Sequence, residues 1–156
     1  MAGSVPRRHL RIVATIATVG VAVLVGVLIW RWATPPALPQ DASPDTVART
    51  YFELDAAGRS WAAVHYVSHS GRPDIPNGRG YGGCRIVRVR KAFPDSKQGY
   101  GSWYDSFVQL CDVTINYHRT RSDEAGNPPG DYSVVVDLGR KTPGGPWRVL
   151  YIGEGI

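Results

Sequence analysis

Cysteine and histidine are scarce in this chain of 156 residues, which has two cysteines and four histidines. His65 and His69 are four apart on an expected helix, a spacing at which two imidazoles can share a metal ion. No glutamate follows the first histidine as in zinc proteases, and no third ligand is evident. We therefore expect neither a metal site nor a cofactor.

The sequence also lacks the basic surface of a nucleic-acid-binding protein. Residues 42–156 carry 14 Lys and Arg against 12 Asp and Glu, so much of the basic pI of about 9.5 comes from residues 1–41. The glycine-rich residues 77–83 are expected to leave a helix and enter a strand, the reverse of a phosphate-binding loop. Nucleic acid is therefore not an expected partner.

Charge is absent from residues 12–30, a run of 19 positions. As a helix, this run would span roughly 28 Å, close to the thickness of the bilayer hydrocarbon. Three arginines precede the run and one follows it at once, so the positive-inside rule places the N-terminus in the cytoplasm. The expected organisation is a cytoplasmic tail (1–11), a transmembrane helix in contact with the lipid bilayer (12–30), a Pro-rich linker (31–43) and an extracytoplasmic domain (44–156).

A cleavable secretory signal is the alternative interpretation of the same run. Such signals have an apolar stretch of about 7 to 15 residues before a site with small residues. The run here is longer, and Pro35 follows it closely. A retained, single-pass anchor in the cell membrane is therefore preferred.

Two helices are expected after the linker. Ser43 can cap the first helix, Pro44 fits its first position, and Asp45 complements the positive end of its dipole. Apolar residues then recur at helical spacing until Gly58. A second, shorter helix should begin at Ser60.

The pattern changes to alternation in the second half of the domain. Four segments alternate or are apolar on both faces: 85–93, 111–118, 132–138 and 147–152. The connections at 122–130 and 140–146 contain Gly and Pro in turn-forming combinations. The sequence therefore predicts an α+β domain in which two N-terminal helices pack on a curved antiparallel sheet of about four strands.

Three segments carry a resemblance to a known fold: residues 44–58 (PDTVARTYFELDAAG), 61–64 (WAAV) and 147–155 (WRVLYIGEG). They resemble the nuclear transport factor 2-like, cystatin-like cone fold, in particular uncharacterised bacterial members anchored by a single membrane span. The resemblance covers most of residues 44–156. It implies a cone-shaped domain, although that fold carries enzymes as well as binding and docking modules.

Enzymes of the resembled fold use an acid/base pair inside the cone. The candidates in this sequence are Tyr51, Asp55, Asp105, Asp112 and His118. None has the spacing of a known catalytic signature, so no catalytic residue is assigned. Tyr51 is most simply a core residue, and the polar face that carries Asp112 and His118 could line a cavity or face water.

Cys84 and Cys111 both lie in the domain expected on the oxidising side of the membrane. A disulfide between them is the simplest expectation, and closing the loop would contribute about 3 kcal/mol. The alternative is that Cys111 is a buried free thiol.

Arg88, Arg90 and Lys91 could form a basic strip toward anionic lipid headgroups or wall polymers. An ordinary solvated sheet edge is the preferred interpretation of these residues.

Three functions fit these features. The preferred one is a non-enzymatic binding or assembly module outside the membrane, with an envelope protein or a small apolar ligand as partner. The second is a subunit of an envelope secretion or conjugation complex. The third is a small isomerase-like or hydratase-like enzyme, which requires a deep apolar cavity with a buried carboxylate.

Overall fold

The computed structural model describes residues 20–31, 33–68, 81–90, 93–94, 102–123 and 126–154. The chain divides into two units, Met1–Pro35 and Pro36–Ile156. The first contains helix α1 at residues 20–31, whose side chains are exposed. Among the described residues, no helix has the length and hydropathy of a membrane span. The expected cytoplasmic tail and residues 12–19 of the expected span lie outside the described part.

Helix α2 (Pro44–Ala56) begins where its capping residues predict. The Ser43 hydroxyl accepts a hydrogen bond from the Thr46 backbone N–H at 3.3 Å, and Pro44 occupies the first turn. The helix stops before Gly58, whose φ of +72° suits a residue without a side chain. A short helix, α3 (Ser60–Ala63), and a 3₁₀ turn (Val64–Tyr66) follow.

Over the described ranges, the sheet contains five strands, each antiparallel to its neighbours. They are β1 (Cys84–Val89), β2 (Phe93–Pro94), β3 (Gln109–Arg119), β4 (Gly130–Arg140) and β5 (Arg148–Glu154). Their order is β1-β3-β4-β5, and β2 pairs with β3 farther along the edge that β1 occupies. The structure therefore confirms the α+β class and the helices on an antiparallel sheet.

Helix α2 packs on one face of this sheet through a continuous apolar core. Phe52 is fully buried, and its ring centroid lies 5.1 Å from that of Tyr117 and 4.7 Å from that of Tyr81. The sheet contributes alternate residues of β3 and β4, all at most 4% exposed: Cys111, Val113, Ile115, Tyr117, Val134, Val136 and Leu138. These side chains fill the space between helix and sheet.

The opposite face of the sheet is also covered in part. A second 3₁₀ turn (Ser102–Ser106) brings Tyr104 and Phe107 against Leu110 and Leu150, and all four are buried. A Cβ on Gly139 would lie 2.8 Å from Phe107 Cδ1, so only glycine permits this close approach. Alternation in β3 predicts a polar face here, and this second cluster covers one end of it.

The boundary between the two units falls at Pro35, inside the expected linker at 31–43. Leu38 and Ala42 are half-buried against the core that α2 forms with the sheet. The Tyr66 hydroxyl donates to the Pro36 carbonyl. The second half of the expected linker is therefore part of the folded domain.

Candidate functional site

Tyr51 and Asp55 lie one turn apart on α2, and each is 3% exposed. Asp55 Oδ1 accepts a hydrogen bond of 2.6 Å from the Ser60 hydroxyl at the start of α3. Burial raises the pKa of Asp55, and the bond from Ser60 opposes the shift. Burial, and then the charge of Asp55, raise the pKa of Tyr51. A carboxyl with a raised pKa suits acid/base chemistry, but this one ties two helices together inside a packed core.

Near the far end of β3, a buried arginine interacts with several groups. Arg119 is 4% exposed, and its Nη1 donates to the Asp123 carboxylate. Its Nη2 lies 3.4 Å from the Tyr117 hydroxyl, and its guanidinium carbon lies 4.8 Å from the Tyr132 ring centroid. Its Nε has no hydrogen-bond partner in the part of the chain that the structure describes. The arginine therefore joins β3, β4 and the loop between them.

Asp123 completes this network from the β3–β4 loop. It accepts hydrogen bonds of 2.8 Å from the Asn127 side-chain amide and from the Asn127 backbone N–H. These bonds, with the Arg119 guanidinium, hold the pKa of Asp123 below its usual range. We assign this cluster a structural role, because the ion pair between Arg119 and Asp123 closes the β3–β4 loop.

Sequence reasoning missed Arg119, although a signal was present. In the alternation of β3, Cys111, Val113, Ile115 and Tyr117 mark the core face, and Arg119 is the next position on that face. A cation at the end of an apolar row indicates a buried ion pair or a site where the strand leaves the core.

On the other face of the sheet, two carboxylates meet in register. Asp112 on β3 is directly opposite Asp137 on β4, and Tyr151 on β5 is opposite Asp137. The Tyr104 hydroxyl donates to Asp137 Oδ2 at 3.3 Å inside the second buried cluster. Asp112 was an expected polar-face candidate, whereas Asp137 and Tyr104 were not, because their approach depends on the 3₁₀ turn.

The remaining acid/base candidates do not converge with these groups. His118 lies six positions from Asp112 on β3, about 20 Å along the strand. Its Nδ1 is 2.7 Å from Asp131 Oδ1 in an exposed pair. Asp105 is exposed on the second 3₁₀ turn, and Asp55 lies with the core on the opposite face of the sheet. The structure thus groups Tyr51 with Asp55 and separates the other candidates.

The disulfide expected between Cys84 and Cys111 is wrong for this fold, because neither cysteine forms a disulfide. Cys84 pairs with Arg119, which is eight positions from Cys111 on β3. That distance is about 26 Å along the strand, and a disulfide requires Cα atoms within about 7 Å. Cys111 is 4% exposed, as the free-thiol alternative expected, and burial raises the pKa of Cys84.

The basic strip is described in part. Arg88 and Arg90 are exposed at the β1 edge, and Lys91 lies outside the described residues. His65 is exposed, and its expected partner His69 also lies outside them. No cluster of three or more potential metal ligands occurs within the described ranges.

A pocket of about 220 Å³ opens where β4 turns into β5. The residues that line it are Val67, Ser68, Phe107, Gly139, Lys141, Thr142, Pro146 and Arg148. The sequence did not predict this pocket, since its walls come from segments far apart in the chain.

Comparison of the chain with models of protein families, with curated proteins and with solved structures finds no match.

Proposed function

We propose that this protein is a non-enzymatic binding module held outside the cell membrane by residues 12–30. The observation that carries the proposal is the filled interior of the domain. Phe52, Val113, Ile115 and Val136 are at most 1% exposed between α2 and the sheet. A substrate has no room among these side chains, so recognition takes place on the outer surface of the domain.

The expected acid/base groups support the same proposal. Asp55 is a buried carboxyl whose pKa is raised, and its bond to Ser60 joins α2 to α3. An isomerase or hydratase needs such a group beside an apolar cavity. Asp55 instead neighbours packed core side chains, so we assign it to folding.

We further propose that the domain is a nuclear transport factor 2-like cone. An N-terminal amphipathic helix on one face of a long antiparallel sheet supports this relationship. The bulge between Ile86 and Arg88 and the register shift at Asp137 favour a bent sheet, because bulges bend strands. A crystal structure in which the strands do not curve around α2 would contradict the cone.

The membrane topology can be tested with reporters fused after Ile156. Alkaline phosphatase should be active and green fluorescent protein dark, with the protein in the membrane pellet. A matched variant, Val21→Arg with Val25→Arg, places two charges in the apolar run and should release the protein from the pellet. Fluorescence confined to the cytosol would contradict the proposed location.

The filled interior can be tested separately from the location. Xenon binds in empty apolar cavities, for example in one of about 150 Å³ that also binds benzene. Crystals of the protein under xenon pressure should show no xenon between α2 and the sheet. Xenon bound there would favour the isomerase-like alternative, and recovery of the chain within a multi-protein membrane complex would favour a secretion or conjugation subunit.

A further inference from the structure

The pocket at the β4–β5 turn has an apolar floor. Phe107 lies directly over Gly139, where a Cβ would come within 2.8 Å of its ring. Val67 and Pro146 also line the pocket. A cavity of about 150 Å³ suffices for benzene, so the 220 Å³ here can accept one aromatic ring with a small substituent.

Two cations line the same pocket, and none of the eight described residues around it is acidic. Lys141 Nζ lies 5.7 Å from the centroid of the Phe107 ring. Arg148 Nη1 donates to the His65 carbonyl at 3.0 Å, which fixes the guanidinium beside the pocket. A guanidinium has five N–H donors, so this one bond leaves capacity for a carboxylate.

We propose that this pocket binds a small amphiphilic carboxylate. The aromatic or short aliphatic body lies on Phe107 between Val67 and Pro146, and the carboxylate lies between Lys141 and Arg148. This inference deepens the proposed function, on which it rests for its cellular setting, by naming a ligand class for the binding module.

The test uses the full chain in nanodiscs and the probe 4-fluorobenzoate, followed by fluorine NMR. The probe signal should broaden and shift saturably, and unlabelled benzoate should reverse the change. The neutral 4-fluorobenzyl alcohol tests the apolar floor alone, and inorganic phosphate tests the charges alone. Both should bind at least about tenfold more weakly than the benzoate, because each lacks one half of the recognition. Empty nanodiscs measure partition of the probe into lipid.

Arg148→Gln and Lys141→Gln should each weaken binding of the probe by about tenfold, since each removes one charge-assisted hydrogen bond. Arg140→Gln is the matched control. The Arg140 guanidinium lies 4.9 Å from the Trp147 ring centroid, and Arg140 does not line the pocket. Thermal unfolding of each variant identifies any loss of the fold, and Lys141, which is exposed, provides a second variant if Arg148→Gln unfolds.

Equal binding of the acid and the alcohol, or unchanged binding in both pocket variants, would overturn the inference. Its failure is distinguishable from failure of the proposed function. The NMR titration uses purified protein, so its result does not depend on which side of the membrane the domain occupies. If the reporters were in the cytosol but benzoate bound saturably, only the proposed location would be refuted. If the reporters were outside the membrane but benzoate did not bind, only the proposed pocket would be refuted.

Discussion

Asp55 opposes folding when it is ionised, because burial raises its pKa above the unfolded value of 3.8. A carboxyl of this kind favours the folded state most below its unfolded pKa, and that contribution is lost as the pH rises through the folded pKa. Asp55→Asn keeps an oxygen that can accept from Ser60 and removes the titration. We expect its free energy of unfolding to fall less than that of the wild type from about pH 4 to pH 7, as measured by urea denaturation.

Glu53→Gln is the control for this experiment, because Glu53 is exposed on the same helix and lies 3.6 Å from Arg49. Its pH dependence should resemble that of the wild type. Equal slopes for Asp55→Asn and the wild type over this pH range would show that ionised Asp55 is not destabilising.

The two cysteines give a prediction on which the sequence and the structure disagree. A disulfide would contribute about 3 kcal/mol, all of it lost on reduction. With free thiols, dithiothreitol should leave the midpoint of thermal unfolding unchanged. Labelling with a thiol reagent under denaturing, non-reducing conditions should modify both Cys84 and Cys111. If neither cysteine were modified, the two would be joined by a disulfide after all.

For single residues, the sequence predicted the face of the sheet on which a side chain lies better than it predicted the residues that the side chain contacts. Alternation placed Asp112 on the polar face of β3, but it could not show that Asp137 lies opposite, because the β3–β4 register depends on the intervening turn. The two cysteines were paired by count and compartment, whereas pairing is decided by distance. Local patterns specify a face, and only the assembled sheet specifies a neighbour.

Among the elements, α2 depends on its N-terminal cap. Ser43→Ala removes the acceptor of the Thr46 N–H and should cost about 1 kcal/mol of stability. Ser43→Asn, which can still cap, should lose much less. Urea denaturation of the two variants gives the comparison, and equal losses would show that the cap does not stabilise the helix.

Elements with strong periodicity were predictable from the sequence. The capped helix α2 and the strands β3 and β4 follow directly from their apolar patterns. The turn at Ser102–Ser106 was not, because it has no repeating pattern and is fixed by the contacts of Tyr104 and Phe107 with the far face of the sheet. The pocket depends on that turn, so it could not be anticipated either.

For the whole molecule, the division at Pro35 separates two roles. The proposed anchor precedes it, and the described residues of the core, the Arg119 network and the pocket follow it. Binding to the pocket should therefore survive removal of the anchor, whereas location in the membrane should not. The sequence predicted that the folded domain begins at residue 44, because a proline-rich segment is typical of a spacer. The apolar contacts of Leu38 and Ala42 with the core could not be seen in that pattern.

A fragment of residues 36–156 should therefore fold on its own and unfold at the same midpoint as the domain in the full chain. Within that fragment, Leu38→Ala should lower the free energy of unfolding by about 1 to 2 kcal/mol, since a half-buried leucine loses part of its transfer free energy. Gln40→Ala, at an exposed position three residues before the Ser43 cap, is the control and should have little effect. Circular dichroism during thermal and urea unfolding measures all three proteins. If Leu38→Ala matched Gln40→Ala, residues 36–43 would be a spacer rather than part of the fold.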